Sequence, residues 1–204
     1  MFTTNNELIG LDGRPTANAG SRAEFLKFAP ELPRHIQEEL KAGKIRLADH
    51  IVYAIKPVNS AKTVKIFVSQ DIKEVGLTNI SAGRLPKNMA MVISGIMMLA
   101  GVAASNDKED VKSTTFDSIN LIPALTVGEL TLKANRKQIV EDLSTSVFKT
   151  ENFSSVPKGY YKLANPRLIH DDVDIEAELE FGSMKNVDPL TYLFFALHGT
   201  VTIP

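Results

Sequence analysis

The stretch from Asp172 to Gly182, DVDIEAELEFG, decides the fold class. Apolar side chains occupy every second position from Val173 to Phe181, and acidic side chains occupy the positions between them. A period of two over about ten residues fits a β-strand and excludes an amphipathic helix, whose period is about 3.6 residues. The stretch therefore predicts a strand with one face against a core and one face lined with carboxylates.

The C-terminal segment TYLFFALHGTVTIP, residues 191–204, has the same alternation. Its other face carries Tyr192 and Phe194, which we expect either to be covered or to serve as a contact. Gly199 interrupts the pattern and suggests a bulge or a close backbone approach. The apolar set that predicts the inward face is Leu193, Phe195, Leu197, Val201 and Ile203.

The most apolar run of the chain is MAMVISGIMMLAGVAA, from Met89 to Ala104. A membrane-spanning helix needs about 20 apolar residues. This run is shorter and contains Ser94, Gly95 and Gly101. It therefore favours a strand buried on both faces, with a buried helix as the alternative.

Further strand patterns and turns give the domain its architecture. After Lys44, an alternation of Ile45, Leu47, Ile51, Tyr53 and Ile55 favours a strand, since a turn follows at Pro57, and a helix is the alternative. Asn135-Arg136 predicts a hairpin turn, and Asn165-Pro166 predicts a strand end. The polar stretch 105–118 predicts an exposed loop, and no helix is expected after residue 60. About eight strands separated by turns predict an antiparallel β-sandwich or jelly roll over residues 44–204.

Residues 1–43 predict a different structure, an N-terminal arm with one or two short helices. The arm is rich in Asn, Thr, Gly and Ala, with a small apolar island at Leu8 and Ile9. A helix is predicted after Pro33, because Ile36 and Leu40 lie four residues apart and Gly43 can end it. The alternative for the arm is a disordered tail.

Composition narrows the functional classes. The 204 residues contain 23 basic and 24 acidic side chains, and the first thirty residues hold few cations. Proteins that coat nucleic acid normally carry a basic excess or a basic arm. We therefore expect no direct nucleic-acid binding. The absence of cysteine excludes disulfides, thiolate metal sites and a cysteine nucleophile.

No motif in the sequence predicts catalysis, a cofactor or a metal. The histidines His35, His50, His170 and His198 do not fall at a ligand spacing. The carboxylates of the acidic strand are spread along it instead of converging on one ion. Ser94 lacks the context of a nucleophile elbow, and no phosphate-binding loop is present. We therefore expect a protein that is not an enzyme and binds no cofactor.

From about Lys62 onward, the order of segments resembles the single jelly-roll capsid proteins of icosahedral bacteriophages. The upright jelly-roll lineage of membrane-containing phages fits best, because lipid there separates shell and genome and a basic arm is not needed. A two-barrel major capsid protein of that lineage is normally longer than 204 residues, so major, single-barrel and vertex subunits stay open. The segments that carry the resemblance are KTVKIFVSQ, VGLTNISAGRLPKNMAMVISGIMM, GELTLKANRKQIVEDLSTSVF, GYYKLANPRLIHDDVDIEAELEFG and TYLFFALHGTVTIP.

The resemblance implies a virion protein that assembles with copies of itself, as a trimer or pentamer, and with other capsid proteins. Its arm would order on neighbouring subunits or on an inner membrane layer. The implied subunit contacts are the arm residues Phe2, Leu8, Ile9, Phe25 and Phe28, the aromatic pair Tyr192 and Phe194, and the acidic face Asp172, Asp174, Glu176, Glu178 and Glu180.

Two other functions fit the same strand pattern. A β-sandwich binding module, such as a phage spike, an adhesin or a carbohydrate-binding domain, would present a ligand groove rimmed by aromatic residues. The low aromatic content, 7% with no tryptophan, argues against sugar stacking. A small β-sandwich enzyme would hold paired carboxylates at the mouth of the barrel.

Overall fold

A computed structural model of the chain describes residues 25–150 and 157–204. Over these residues, nine strands form two antiparallel sheets, and the helices are short. The α-helices are α1 (Arg34–Lys41) and α2 (Lys108–Lys112), and the 3₁₀ turns are Ala29–Glu31, Ile119–Leu121, Pro123–Thr126 and Thr145–Phe148. The strands are β1 (Arg46–Pro57), β2 (Thr63–Lys65), β3 (Met91–Val102), β4 (Asp117–Ser118), β5 (Gly128–Ala134), β6 (Lys137–Ser144), β7 (Tyr160–Ile169), β8 (Ile175–Phe181) and β9 (Thr191–Ile203).

The strand order is that of a jelly roll, so the predicted fold class is confirmed. Early strands pair with late ones: β1 with β9, β2 with β8, β3 with β7, and β5 with β6. The β3–β9 and β5–β8 ladders then join these pairs into sheets. The chain thus folds as one long hairpin rolled into a sandwich. The larger sheet has the order β1-β9-β3, and both β4 and β7 pair with the outer side of β3. The smaller sheet has the order β2-β8-β5-β6.

The core lies between the two sheets, where the period-two patterns meet. On β8, Ile175, Ala177, Leu179 and Phe181 are buried and the acidic residues face outward, as DVDIEAELEFG predicts. The inward set of β9 also packs into this core. The apolar run 89–104 forms β3, which is buried on both faces over most of its length, so the strand prediction is confirmed and the buried-helix alternative is wrong.

A β-bulge at Ser94 shapes the centre of the larger sheet. The register of β3 shifts between Ile93 and Gly95 against both β7 and β9. Two glycines permit the close approach that results. A Cβ at Gly95 would lie 2.1 Å from the Tyr160 hydroxyl, and a Cβ at Gly199 would lie 2.0 Å from the Val92 carbonyl oxygen. The predicted close approach at Gly199 is therefore present.

The segment before β1 packs on the outer face of this larger sheet. Helix α1 follows Pro33 as predicted, and Gly43 takes a positive φ of 66° just after it. Phe25, Ile36 and Val92 belong to one buried cluster that includes residues of β1, β3 and β7. Residues 25–43 therefore cover one end of the sandwich instead of extending away from it.

Two predictions about secondary structure are wrong. The polar stretch 105–118 contains helix α2, whose Val111 is buried, so helix does occur after residue 60. Strand β7 continues through Asn165-Pro166, because it is an edge strand and skips residues 163–166 in its pairing with β3. The nine strands of the described residues agree with the predicted number of about eight, and they include the two-residue β4, which pairs beside β7 on β3.

Strand β1 is present, but its faces differ from the simplest interpretation of its alternation. The inward positions are the smaller residues Val52 and Ala54, which belong to the main core. The larger Ile51, Tyr53 and Ile55 point outward. There the Tyr53 ring stacks on Phe194, and Ile55 packs against the cluster that contains Val111. Alternation alone does not tell which of two apolar faces meets the core.

Candidate contact surfaces

The acidic face lies on the outside of the smaller sheet, where the sequence places it. Glu176 and Glu180 are exposed, and Glu178 is half-buried. Lys133 is directly opposite Glu176 on β5, and Lys65 is opposite Glu178 on β2. None of these three glutamates has a cation within 4 Å among residues 25–150 and 157–204, so no ion pair within that part of the chain neutralises them.

The two aspartates that begin the acidic stretch have partners within the chain. Arg84 donates from Nε to Asp174 Oδ1 at 2.5 Å, and its Nη1 lies 3.8 Å from Asp172. Both contacts are about half exposed and therefore contribute little to stability. A depression of about 490 Å³ lies beside them, between Lys65 and Arg84 along the edge of β8.

Tyr192 and Phe194 lie on the outer face of the larger sheet and are covered by their own chain. Tyr192 is buried, and its hydroxyl donates to Asn106 at 3.0 Å. The Phe194 ring stacks on Tyr53 at 5.7 Å and contacts Phe116 at 5.9 Å. The structure therefore gives this pair a packing role, which is one of the two alternatives that the sequence leaves open.

The predicted arm contacts divide into two groups. Phe25 is buried and Phe28 is half-buried in the cluster that joins the N-terminal segment to the sheet. Phe2, Leu8 and Ile9 lie outside the described residues. Phe25 thus anchors the chain to its own sandwich, and the prediction of an arm contact rests on the three earlier residues.

A cleft crosses the outer face of the larger sheet between its two covered ends. It encloses about 590 Å³ at the Ser94 bulge, and His50, Tyr160 and His198 line it. The Tyr160 ring packs edge-on against His198 at 5.3 Å, and the Ser94 hydroxyl donates to the His198 carbonyl oxygen at 3.3 Å. His50 and His198 lie near each other because β1 pairs with β9, and their separation in the sequence does not predict this proximity.

Burial sets the protonation of both histidines. It lowers the pKa of His198 below its ordinary value. Burial also lowers the pKa of His50, and the nearby positive charge of Lys73 lowers it further. Both imidazoles therefore favour the neutral form, since desolvation and a neighbouring cation each disfavour the charged one.

A buried carboxylate connects α1 to the sandwich. Asp171, whose side chain is 6% exposed, accepts from the Asn88 backbone N–H at 2.8 Å and lies 3.1 Å from His35 Nε2. At this point the sequence suggested a loop that turns into the acidic strand, with a metal site at His170, Asp171 and Asp172 as the alternative. Residues 35, 88 and 171 are too far apart in sequence for any local pattern to reveal the contact.

The loop between β2 and β3 presents two bare apolar side chains. Ile72 is 80% exposed and Val75 is 83% exposed. We call residues 72–75 the loop tip. Leu121 and Val127, in the connection between β4 and β5, are also more than half exposed. Sequence reasoning missed these residues because exposure within a loop leaves no periodic signal.

The structure adds two observations about chemistry. No group of three or more His, Cys, Asp or Glu side chains in the described parts of the chain is arranged to hold a metal ion. Over the same residues, no helix is long and apolar enough to cross a membrane.

No protein-family model matches the chain, and no curated protein is significantly similar to it. Its function must therefore be argued from fold and surface.

Proposed function

We propose that this chain is a virion structural protein, a capsid subunit that assembles with copies of itself and with other shell proteins into an icosahedral shell. The observation that carries the proposal is the strand order, a complete jelly roll in which four early strands pair with four late ones. Capsid proteins are one of the main groups that use this fold. Since one fold hosts many functions, the surface must supply the rest of the argument.

The surface supports a protein that works through contacts. Ile72 and Val75, three residues apart in one loop, are each at least 80% exposed. Exposed apolar side chains on firmly held segments are typical of sites that meet another protein. The unpaired glutamates of β8 offer a second surface, one that suits a neighbouring subunit with basic residues.

The expected partners follow from the same hypothesis. Copies of this chain would form trimers or pentamers around symmetry axes, with other capsid proteins beside them. Residues 1–24 would contact neighbouring subunits or an inner membrane layer. The net charge of -1 gives no basis for coating nucleic acid, so the shell would enclose the genome without binding it directly.

The alternative is a β-sandwich binding module, and the cleft at His50, Tyr160 and His198 favours it. A cleft of about 590 Å³ is within the size range of small-molecule sites, about 300–1,000 Å³. The two proposals differ in quaternary state. A binding module would remain a monomer or small oligomer and would gain stability from a ligand in the cleft.

The deciding experiment is to purify the full chain, measure its mass in solution and image it by electron microscopy. Shells, sheets, or stable trimers and pentamers would support the capsid proposal. A monomer that does not associate, even with other virion proteins, and that a small ligand stabilises would support the binding module instead.

A further inference from the structure

We infer that the loop tip of one copy of this chain packs into a groove at the opposite edge of the next copy. This inference rests on the proposed function and names the surfaces through which the subunits would associate. The groove, which we call the edge groove, lies between β6 and β7 and has a volume of about 340 Å³. Its lining mixes polar residues, such as Gln138, Asn165 and Arg167, with the apolar Ile139, Val140, Leu143, Tyr161 and Leu163.

The loop tip is held firmly although its side chains are bare. On one side of it, the Asp71 carboxylate pairs with Lys56 and accepts from the Val68 backbone N–H at 3.1 Å. On the other side, Glu74 accepts from Lys108 at 2.6 Å and from Lys112 at 3.1 Å.

The ion pairs of Glu74 also affect its pKa. Hydrogen bonds from Lys108 and then Lys112 lower the pKa of Glu74. The carboxylate therefore remains ionised and paired across the neutral range. A preorganised loop loses little conformational freedom on binding, which is the property that an interface anchor needs.

Residues directly after the loop tip fix it to the sandwich. Residues 77–79 run along the free edge of β1: the Ile55 N–H donates to the Leu77 carbonyl at 2.7 Å, and the Asn79 side chain donates to the Ile51 carbonyl at 2.6 Å. This segment covers the edge of β1. The loop tip is therefore carried on the side of the sandwich where β1 and β2 are the outer strands.

The edge groove lies on the other side of the sandwich. Strands β6 and β7 are the opposite outer strands of the two sheets, and Arg167 bridges them by donating to the Ile139 carbonyl at 2.9 Å. The apolar side chains on the groove floor pack on the main core and remain partly exposed, as Ile139, Leu143 and Tyr161 illustrate. The opening has room for two branched aliphatic side chains.

The positions of the two surfaces determine the type of assembly. Because the loop tip and the edge groove lie on opposite sides of one molecule, one copy cannot use both with the same neighbour. Each contact leaves a free loop tip at one end and a free groove at the other. Such a heterologous contact closes into a ring when the rotation between copies permits it, which fits a subunit arranged around a symmetry axis.

Charge complementarity names the second copy as the occupant. Lys73 lies within the loop tip, and both Glu141 and Arg167 line the edge groove; all three are exposed. Arg167 already donates to the Ile139 carbonyl, whereas neither Lys73 nor Glu141 has an ion-pair partner among the residues that the structure describes. When the loop tip enters the edge groove of a second copy, Lys73 meets the opposite charge of Glu141. A contact between two loop tips would instead bring Lys73 against Lys73 and is therefore disfavoured.

The first test replaces the apolar side chains. Ile72→Ser and Val75→Ser should each weaken self-association of the full chain by about tenfold or more, measured by sedimentation velocity over a concentration series. Leu121→Ser is the matched control, since Leu121 is 73% exposed but lies elsewhere. Loop-tip variants that associate as tightly as this control would overturn the inference. Thermal unfolding checks that all three variants fold.

The second test exchanges the charges. Lys73→Glu and Glu141→Lys should each weaken association several-fold, and the double variant should recover most of the loss. A double variant that is weaker than both single variants would overturn the pairing.

The third test uses the absence of native cysteine. Mixing Val75→Cys with Gln138→Cys, which also lines the groove, should form the mixed disulfide faster than either variant cross-links with itself. Assemblies that form without this cross-link would refute the interface and leave the capsid proposal standing. A chain that never associates would refute both.

Discussion

Replacing Gly199 with alanine should be among the most damaging single-methyl changes in this fold. The added Cβ would lie 2.0 Å from the Val92 carbonyl oxygen, whereas ordinary contacts begin at 3.4 Å. The obstacle is backbone in the central β3–β9 ladder, which cannot rotate away as a flexible side chain can. The two strands must therefore separate locally by roughly 1.4 Å.

The expected cost is about 3 kcal/mol. Overpacking a well-packed interior costs about 1–3 kcal/mol, and each ladder hydrogen bond that is lost adds about 1 kcal/mol. Gly182→Ala is the matched control, because its nearest atom is the Val127 carbonyl oxygen at 3.6 Å. Both glycines avoid the left-handed region, so alanine fits either backbone conformation. The control should be neutral or stabilising by less than about 1 kcal/mol.

Urea denaturation followed by circular dichroism measures both effects. Gly199→Ala should lower the free energy of unfolding by about 3 kcal/mol and the melting temperature by roughly 10 °C. If Gly199→Ala lies within about 1 kcal/mol of Gly182→Ala, the close approach of β3 and β9 is not the reason for glycine at this position, and the reasoning fails.

Three further predictions concern the N-terminal segment and the buried polar groups. A deletion of residues 1–25 should lower the free energy of unfolding by about 3 kcal/mol relative to a deletion of residues 1–24, because only the longer deletion removes the buried Phe25. Urea denaturation measures this difference. Burial lowers the pKa of His50 and His198, so the unfolded chain binds more protons, and the free energy of unfolding should fall as the pH drops below about 6.5. Asp171→Ala should cost about 1–3 kcal/mol in the same assay, since the part-buried backbone N–H of Asn88 loses its acceptor.

Controls make these predictions decisive. The double variant His50→Gln, His198→Gln should flatten the pH dependence, and an unchanged slope would show that other groups cause it. Arg84→Gln breaks a half-exposed ion pair and should cost less than about 1 kcal/mol. An Arg84 variant as damaging as Asp171→Ala would contradict the distinction between an exposed ion pair and a buried carboxylate. Deletions of equal stability would contradict the role of Phe25.

The sequence predicted those strands whose two faces differ in polarity. Strand β8 alternates apolar and acidic residues, and only one orientation buries the apolar face. Strand β1 has apolar residues on both faces, so its pattern did not reveal that Val52 and Ala54 face the core. Helix α2 has five residues and one buried side chain, which is too short to produce a helical period.

The candidate surfaces were predicted less completely, because they depend on contacts between distant segments. The acidic face follows from one strand and was placed correctly. Tyr192 is covered by residues from the 105–118 stretch, a contact that no local pattern contains. The exposed loop tip depends on ion pairs from Glu74 to Lys108 and Lys112, more than thirty residues away in sequence. Such pairings become visible only when the jelly roll brings the two loops together.

The central claim, that this jelly roll is an assembling shell subunit, is tested most directly by the mass of the purified full chain in solution. Multi-angle light scattering over a range of concentrations, with electron microscopy of the same samples, gives that mass and the form of any particles. The account predicts discrete trimers or pentamers, or closed shells. A monodisperse monomer at every concentration, with or without other virion proteins, would contradict it.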